Sequence, residues 1–176
     1  MCSSDRAAPA QIAHAPVAAM ADIARGIDGL RIAVAGGYFR DPQWPEANAA
    51  VDTVAAALGV TREVAIPEAQ RARAAAYVIT NAEGAALHLP RLRARAADFD
   101  PDVRDRLLSG AMLPAQWLVQ AQRFRSWFAD AMRDLFREVD LILAPATPFP
   151  APESGTRTVV IDGVTLPMRP NIGIFT

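Results

Sequence analysis

The chain has 176 residues, a length that fits one domain with a real core but not two full domains. All 18 basic residues are arginine, so a Schiff base, a Walker-type phosphate lysine and a lysine general base are excluded within this chain. The formal net charge is −1 with both signs interspersed, which makes nucleic acid and anionic membranes unexpected partners.

The N-terminal segment, residues 1–28, is predicted to be a linker or disordered. Residues 1–17 are rich in Ala, Pro and Ser without periodicity, and a short helix is favoured only at 18–25. The single cysteine, Cys2, has no partner for a disulfide or a zinc site, so the cytoplasm is the expected compartment. We expect no targeting segment, because a basic start followed by an apolar run is missing, and no later stretch is long and apolar enough to span a membrane.

A strand–helix–strand unit is predicted to open the remaining domain, residues 29–176. Alternating apolar residues at 30–34, followed by two glycines, indicate a first strand. Residues 45–58 carry apolar side chains at helical spacing between a proline and a glycine, which predicts a helix. Residues 64–66 indicate a second strand, which we expect to run parallel to the first through a right-handed crossover.

Three helices are predicted to follow. Residues 68–89 are rich in alanine and favour a helix that Pro90 would end. Asp100 would cap a short helix that has Pro101 at its first position. Residues 114–139 carry apolar side chains at intervals of three and four, which predicts a long amphipathic helix.

A strand and a hairpin are predicted near the end of the chain. The stretch "VDLILAPATPFPAP", residues 139–152, indicates a buried strand at 141–143 that Pro145 closes. Two β-prone runs flank Asp162-Gly163, a pair typical of a hairpin turn. The order predicts an α/β fold with a partial, mixed, mostly parallel sheet and flanking helices. Parallel sheets need cover on both faces, and this chain has few predicted helices to provide it. We therefore expect part of the sheet to lie outside this chain.

The residues alone predict no catalytic centre. The serines stand in no Gly-x-Ser-x-Gly elbow or Gly-Ser-Ser run, and no group of histidine and aspartate lies near one to activate it. His14 and His88 stand in no metal-ligand spacing, so no metal is expected. The pair Gly36-Gly37 lacks the third glycine of a dinucleotide loop, and no cofactor is expected.

Four stretches, in order, resemble the region downstream of the nucleophile in the amidase signature family. They are "GLRIAVAGGYF", "VTREVAIPE", "AAAYVITNAEGAALHLPRLR" and "VDLILAPATPFPAP". Within that family, "AVAGGYF" and "HLPRLRARAADFDPDVRDRL" are most similar to amidohydrolases of the carboxybiuret-hydrolase type. The resemblance implies the amidase signature fold and hydrolysis of amide C–N bonds in small urea-like or biuret-like molecules, as used in nitrogen metabolism.

The resemblance does not extend to the groups that perform the reaction. That family uses a lysine, a bridging serine and a nucleophilic serine, and this chain has neither a lysine nor a Gly-Ser-Ser run. The resemblance therefore implies a fragment, with residues 29–176 as a partial amidase domain that is inactive alone. Its expected partner is the missing catalytic half, or a second copy joined through exposed sheet edges. A free-standing α/β binding or interaction module, which kept the scaffold and lost the chemistry, stays open as the alternative.

The resemblance also implies three substrate-binding residues, Tyr77, Asn81 and Arg91. In the family, polar residues on the helix after the second strand, and an arginine soon after it, can face the substrate. Arg91 suits a carboxylate because a guanidinium can bind one through two parallel hydrogen bonds. A core position for Tyr77 and a solvated surface position for Arg91 remain open.

Overall fold

A computed structural model describes residue 24, residues 26–41 and residues 44–172. The chain divides into two compact units, Met1–Leu30 and Arg31–Thr176. In the first unit residues 26–29 form a turn, and the Leu30 N–H donates to the Ile27 carbonyl at 3.1 Å. The linker predicted at 1–17 and most of the helix predicted at 18–25 lie outside the described residues. Every element below belongs to the second unit.

The central layer of that unit is a three-stranded parallel sheet. Strand β1 lies in the middle, and the order across the sheet is β2-β1-β3. The strands are β1 at Ile32–Ala35, β2 at Glu63–Val64 and β3 at Leu141–Leu143. Helix α1, Pro45–Ala57, connects β1 to β2, which confirms the strand–helix–strand prediction. Strand β2 is shorter than predicted, because it ends before Ile66.

A small apolar cluster covers each face of the sheet. On one face, Val34 packs with Val51 and Ala55 of α1. Ala33 points to the opposite face, because successive side chains of a strand alternate, and packs there with Val139. Each cluster has only three buried residues, so the sheet is a thin layer.

Strand β3 is an edge strand, which corrects the prediction that it is buried. Leu141 is 45% exposed because β3 has β1 as its only neighbour among the strands described. The start of β3 is held by an ion pair in which Arg31 Nη2 lies 2.9 Å from Asp140 Oδ1 and Arg31 Nε lies 3.1 Å from Asp140 Oδ2. These hydrogen bonds from Arg31 lower the pKa of Asp140 to about 2.

Three helices follow β2 in the chain. They are α2 at Ala69–Arg95, α3 at Pro101–Ala111 and α4 at Ala115–Leu135, and α2 contacts both of the others. Helix α2 continues through Pro90, where the sequence predicted an end. Leu92, beyond the proline, is only 3% exposed, so its burial offsets the hydrogen bond that Pro90 cannot donate.

The ends of α3 and α4 test two further predictions. Asp100 caps α3, as predicted, since its carboxylate accepts from the N–H groups of Asp102 at 3.1 Å and Val103 at 3.2 Å. Helix α4 ends at Leu135, one turn earlier than the predicted residue 139. The last turn is replaced by a short connection that leads into β3.

A separate hairpin follows β3. Strands β4, Thr158–Ile161, and β5, Val164–Pro167, are antiparallel, as predicted, and the short helix α5 follows at Met168–Asn171. The turn residues Asp162 and Gly163 both have positive φ, 51° and 73°, as a tight hairpin turn requires. With a parallel sheet, one antiparallel hairpin and flanking helices, the structure confirms the predicted fold class.

Candidate functional site

A pocket lined by both polar and apolar side chains lies where α2, α3 and α5 meet. It encloses about 380 Å³. Polar groups from three elements that are far apart in sequence converge here, an arrangement typical of a binding site. Its polar lining residues include Tyr77, Asn81 and His88 of α2, Asp102 and Arg106 of α3, and Arg169 of α5.

Gly110 allows α2 and α3 to approach closely enough to form the pocket, and Gly84 lies at the same helix contact. A Cβ atom added to Gly110 would lie 2.2 Å from the main-chain oxygen of Asn81, which no side chain tolerates. A Cβ atom added to Gly84 would lie 3.0 Å from Leu107 Cδ2. This close approach places Arg106, one turn before Gly110, against the polar face of α2.

Arg106 is held in the pocket by two contacts with α2. Its Nε donates to Asn81 Oδ1 at 2.6 Å, and its guanidinium carbon lies 5.4 Å from the centre of the Tyr77 ring. Asn81 is buried, whereas Tyr77 is 52% exposed and forms an open wall. Among the residues that the structure describes, none accepts a hydrogen bond from the two terminal nitrogens of Arg106. A guanidinium fixed in this way presents the paired N–H donors that a carboxylate binds.

The structure brings together two of the three site residues that the sequence predicted. Tyr77 and Asn81 line the pocket, but Arg91 does not. Arg91 lies beyond Pro90 on α2, where its guanidinium carbon is 5.4 Å from the centre of the Phe99 ring. A substrate-binding role for Arg91 stays a prediction, and its position outside the pocket gives that role no support.

Arg106 was missed in the sequence analysis. It lies on a different helix from the predicted residues, and the resemblance pointed only to α2 and the residues just after it. Glycines inside predicted helices, here Gly84 and Gly110, are the signal that could have found it, because such glycines indicate close packing of two backbones.

Helix α5 forms the third wall of the pocket. Arg169 Nη1 lies 2.5 Å from Asp102 Oδ2 and 3.4 Å from Asp100 Oδ1. The pKa of Arg169 is raised, mainly by its hydrogen bond to Asp102. The pKa of Asp100 is lowered, first by the hydrogen bond from the Val103 N–H and then by the one from Arg169. Arg73 Nη2 also donates to the Pro170 carbonyl at 2.7 Å. These contacts connect α5 to both α2 and α3.

The described residues do not supply an activated nucleophile beside this pocket. Ser109 and Ser126 donate to main-chain carbonyls of their own helices, at 2.8 Å and 3.2 Å, rather than to a base. In residues 26–41 and 44–172, no group of three His, Cys, Asp or Glu side chains is arranged to hold a metal. Across the same part of the chain, no helix has the length and apolar character needed to cross a membrane.

Comparisons with known proteins agree on one family. The family model named Amidase matches residues 2–170. The chain is 45% identical over 175 residues to the 1-carboxybiuret hydrolase subunit AtzE of Pseudomonas sp. (strain ADP), covering 99% of this chain and 36% of that protein. It is 32% identical over 145 residues to an amidase of Pseudomonas putida, covering 80% of this chain and 31% of that protein. The chain thus spans about a third of the length of these curated relatives.

Solved structures share the fold. One, an inhibitor-bound "vestigial protein complex" that bears on the evolutionary origins of an s-triazine catabolic enzyme, matches with a TM-score of 0.90 and 45% identity. The match covers 96% of this chain and 37% of that chain. A crystal structure of an amidase matches with a TM-score of 0.71 over 83% of this chain and 35% of that one, and at 24% identity it supports the fold alone.

Proposed function

Because the chain belongs to the amidase family, we propose that it supplies a carboxylate-binding wall of an amidase substrate pocket, while the reacting groups come from the rest of such an enzyme. The observation that carries the proposal is the orientation of Arg106. Its Nε donates to Asn81 Oδ1 at 2.6 Å, its guanidinium carbon lies 5.4 Å from the centre of the Tyr77 ring, and no described residue accepts a hydrogen bond from its two terminal nitrogens. Such a fixed fork loses little side-chain entropy when it binds a carboxylate.

The substrate class follows from combining this fork with the family. The relative named 1-carboxybiuret hydrolase acts, by that name, on a molecule with both a carboxylate and amide C–N bonds. We extend this class of small, carboxylated, urea-like amides to an amidase that contains this chain. Use of such substrates in nitrogen metabolism, and a cytoplasmic location, belong to the same proposal.

The chain alone is expected to be inactive. Amide hydrolysis needs a nucleophile made reactive by a base, and the sequence has no lysine to serve as that base. The partner in the proposal is the complementary polypeptide, which we define as the part of the Pseudomonas sp. relative that this chain does not match. The matched part is 36% of that protein, so the complementary polypeptide is the larger piece.

The test is to co-express the chain with the complementary polypeptide, purify the product, and measure ammonia release from 1-carboxybiuret and from biuret. We expect activity in the complex and none in the chain alone. Arg106→Gln should raise KM for the carboxylated substrate by about 10-fold to 100-fold, since hydrogen bonds to charged groups contribute about 1.5–3 kcal/mol. KM for biuret, which has no carboxylate, should stay within about twofold.

Two control variants separate Arg106 from other arginines. Arg91→Gln removes a guanidinium outside the pocket and should leave both KM values unchanged. Arg106→Lys keeps the charge but loses the paired donors, so it should recover only part of the affinity. Ammonia release by the chain alone would overturn the proposal, as would an Arg106→Gln complex that does not distinguish the two substrates. A monomer that never associates would favour a free-standing module instead.

A further inference from the structure

The charges that line the pocket between α2, α3 and α5 are unevenly paired. One carboxylate, that of Asp102, and two guanidinium groups, those of Arg106 and Arg169, line it. Arg169 pairs with Asp102 at 2.5 Å, so these two charges offset each other. Arg106 has no ion-pair partner among the residues that the structure describes. One positive charge is therefore left for a ligand anion, and Arg106 carries it.

This pairing is not the one that the sequence of α3 favours. Asp102 stands four residues before Arg106 on that helix, and side chains four residues apart are neighbours, with about 5–6 Å between their Cβ atoms. An acid that precedes a base by four residues has the favourable orientation for an ion pair. Although the structure describes both residues, they form no ion pair in it. Asp102 instead binds Arg169, which lies 67 positions away in the chain.

Two anchored neighbours fix the position of Arg169 on α5. Met168 is only 7% exposed and packs against the β4–β5 hairpin. The Pro170 carbonyl accepts a hydrogen bond from Arg73 of α2 at 2.7 Å. Because Arg169 lies between these two residues, its side chain is kept beside the first turn of α3. Helix α5 should therefore keep its place when the side chain of Arg169 is replaced.

We propose that Arg169 is a positioning residue, which keeps Asp102 away from Arg106 and so leaves the Arg106 guanidinium free to bind the substrate carboxylate. The inference rests on the proposed function, because it assumes that Arg106 is the carboxylate-binding group. Without Arg169, the Asp102 carboxylate turns to Arg106 and competes with the substrate for the same N–H donors. A guanidinium that is occupied for part of the time binds the substrate more weakly by the fraction that stays free.

Kinetics of the complex between this chain and the complementary polypeptide test the competition. Arg169→Gln should raise KM for 1-carboxybiuret about 3-fold to 10-fold, less than Arg106→Gln does, because Asp102 occupies the guanidinium for only part of the time. The value of kcat, and KM for biuret, should stay within about twofold, since only carboxylate binding is weakened. Arg169→Lys keeps a cation beside Asp102 and should leave KM for 1-carboxybiuret within about twofold of the original value.

Two double variants of equal net charge distinguish competition from a general loss of positive charge. Arg169→Gln/Asp102→Asn removes the competing carboxylate, so KM for 1-carboxybiuret should return to within about twofold of the original value. Arg169→Gln/Asp100→Asn removes the other carboxylate that Arg169 contacts, at 3.4 Å, but leaves Asp102 free, so KM should stay raised. Asparagine caps a helix about as well as aspartate does, so α3 keeps its start. Equal KM values for the two double variants would overturn the inference.

A crystal structure of the chain with Arg169→Gln gives a readout that needs no activity. We expect a carboxylate oxygen of Asp102 to lie within about 4 Å of a terminal nitrogen of Arg106, the distance of an ion pair. An Asp102 side chain that stays away from Arg106 would overturn the inference and leave the proposed function standing.

Val103→Asp tests the same competition without a change in α5. Val103 lines the pocket, is 38% exposed and stands three residues before Arg106, so an aspartate there is a second neighbour for the guanidinium. We expect Val103→Asp to raise KM for 1-carboxybiuret and the neutral control Val103→Asn to leave it near the original value. Circular dichroism checks the folding of each variant. If Arg169→Gln does not fold, Val103→Asp decides, and a KM equal to that of Val103→Asn overturns the inference.

The outcomes separate this inference from the function it rests on. If Arg106→Gln raises KM for 1-carboxybiuret and Arg169→Gln does not, the positioning role of Arg169 is overturned and the function stands. If Arg106→Gln leaves KM unchanged, both are overturned. If no active complex forms, the crystal structure of the variant decides the positioning role by itself.

Discussion

The parallel sheet and the α2–α3 pair are held together by opposite means. In the sheet, β1 and β3 are joined by side chains that are present, namely the Arg31–Asp140 ion pair and the fully buried Val139. In the helix pair, the close contact depends on the absence of a side chain at Gly110. Substitutions of opposite kinds should therefore damage the two regions. The sheet should be destabilised by removing side-chain atoms, and the helix pair by adding them.

The largest effect is expected when atoms are added between α2 and α3. Gly110→Val would force the helices apart, because even its Cβ lies 2.2 Å from the main-chain oxygen of Asn81. Overpacking of this kind costs about 1–3 kcal/mol, and we expect the upper end because the obstacle is backbone. Urea denaturation followed by circular dichroism measures the free energy of unfolding.

Gly84→Ala is the control for that prediction. Its added Cβ meets only the flexible end of Leu107 at 3.0 Å, and alanine favours a helix over glycine by up to about 1 kcal/mol. Gly84→Ala should therefore be as stable as the original chain or slightly more stable. Equal stability of Gly110→Val and the original chain would contradict the close packing described for this helix pair.

A smaller effect is expected when atoms are removed from the sheet. Val139→Ala deletes two methyl groups from a fully buried side chain that packs with Ala33 and Val64. The lost burial and the remaining cavity should lower the free energy of unfolding by about 1–2 kcal/mol. Val160→Ala, at a strand residue that is 53% exposed, should change it by less than about 0.5 kcal/mol. Similar values for the two variants would argue against a core on that face of the sheet.

The smallest effect is expected from Asp140→Asn, and it appears as a change in pH dependence. The pKa of Asp140 is lowered to about 2, below the roughly 3.9 of an unfolded aspartate. The ionised carboxylate therefore stabilises the fold above about pH 4, and this contribution is lost as the pH falls through about 2. Thermal unfolding between pH 5 and pH 2 should show a shallower loss of stability in Asp140→Asn. Asp130→Asn alters an exposed ion pair with Arg133, which lies one turn away on the same helix. The stability of this variant should depend on pH as that of the original chain does.

Local signals in the sequence predicted the fold well where a few neighbouring residues determine the structure. Asp100 before Pro101 identified a helix start, and Asp162-Gly163 identified a hairpin turn, because each depends only on its own backbone geometry. The predictions at Pro90 and for the burial of β3 were wrong. Burial of Leu92 carries α2 past the proline, and burial of β3 depends on a neighbouring strand that the described residues do not include.

The candidate site was half predictable for the same reason. Tyr77 and Asn81 lie on adjacent turns of a single helix, so a resemblance along that helix found both. Arg106 joins them only because α3 crosses α2 at Gly110, and that crossing is a tertiary contact. No spacing within one element predicts it.

The long sequence separation of the Arg31–Asp140 ion pair also predicts an order in which the two regions form. It joins residues 109 positions apart, whereas the Asn81–Arg106 contact closes a loop of 25. Closing a longer loop costs more chain entropy and takes longer, so α2 and α3 can pack before β1 meets β3. During synthesis at about 5–20 residues per second, β1 leaves the ribosome roughly 5–20 s before β3. Throughout that interval the hydrogen-bonding side of β1 that faces β3 is open to water and to any other strand nearby.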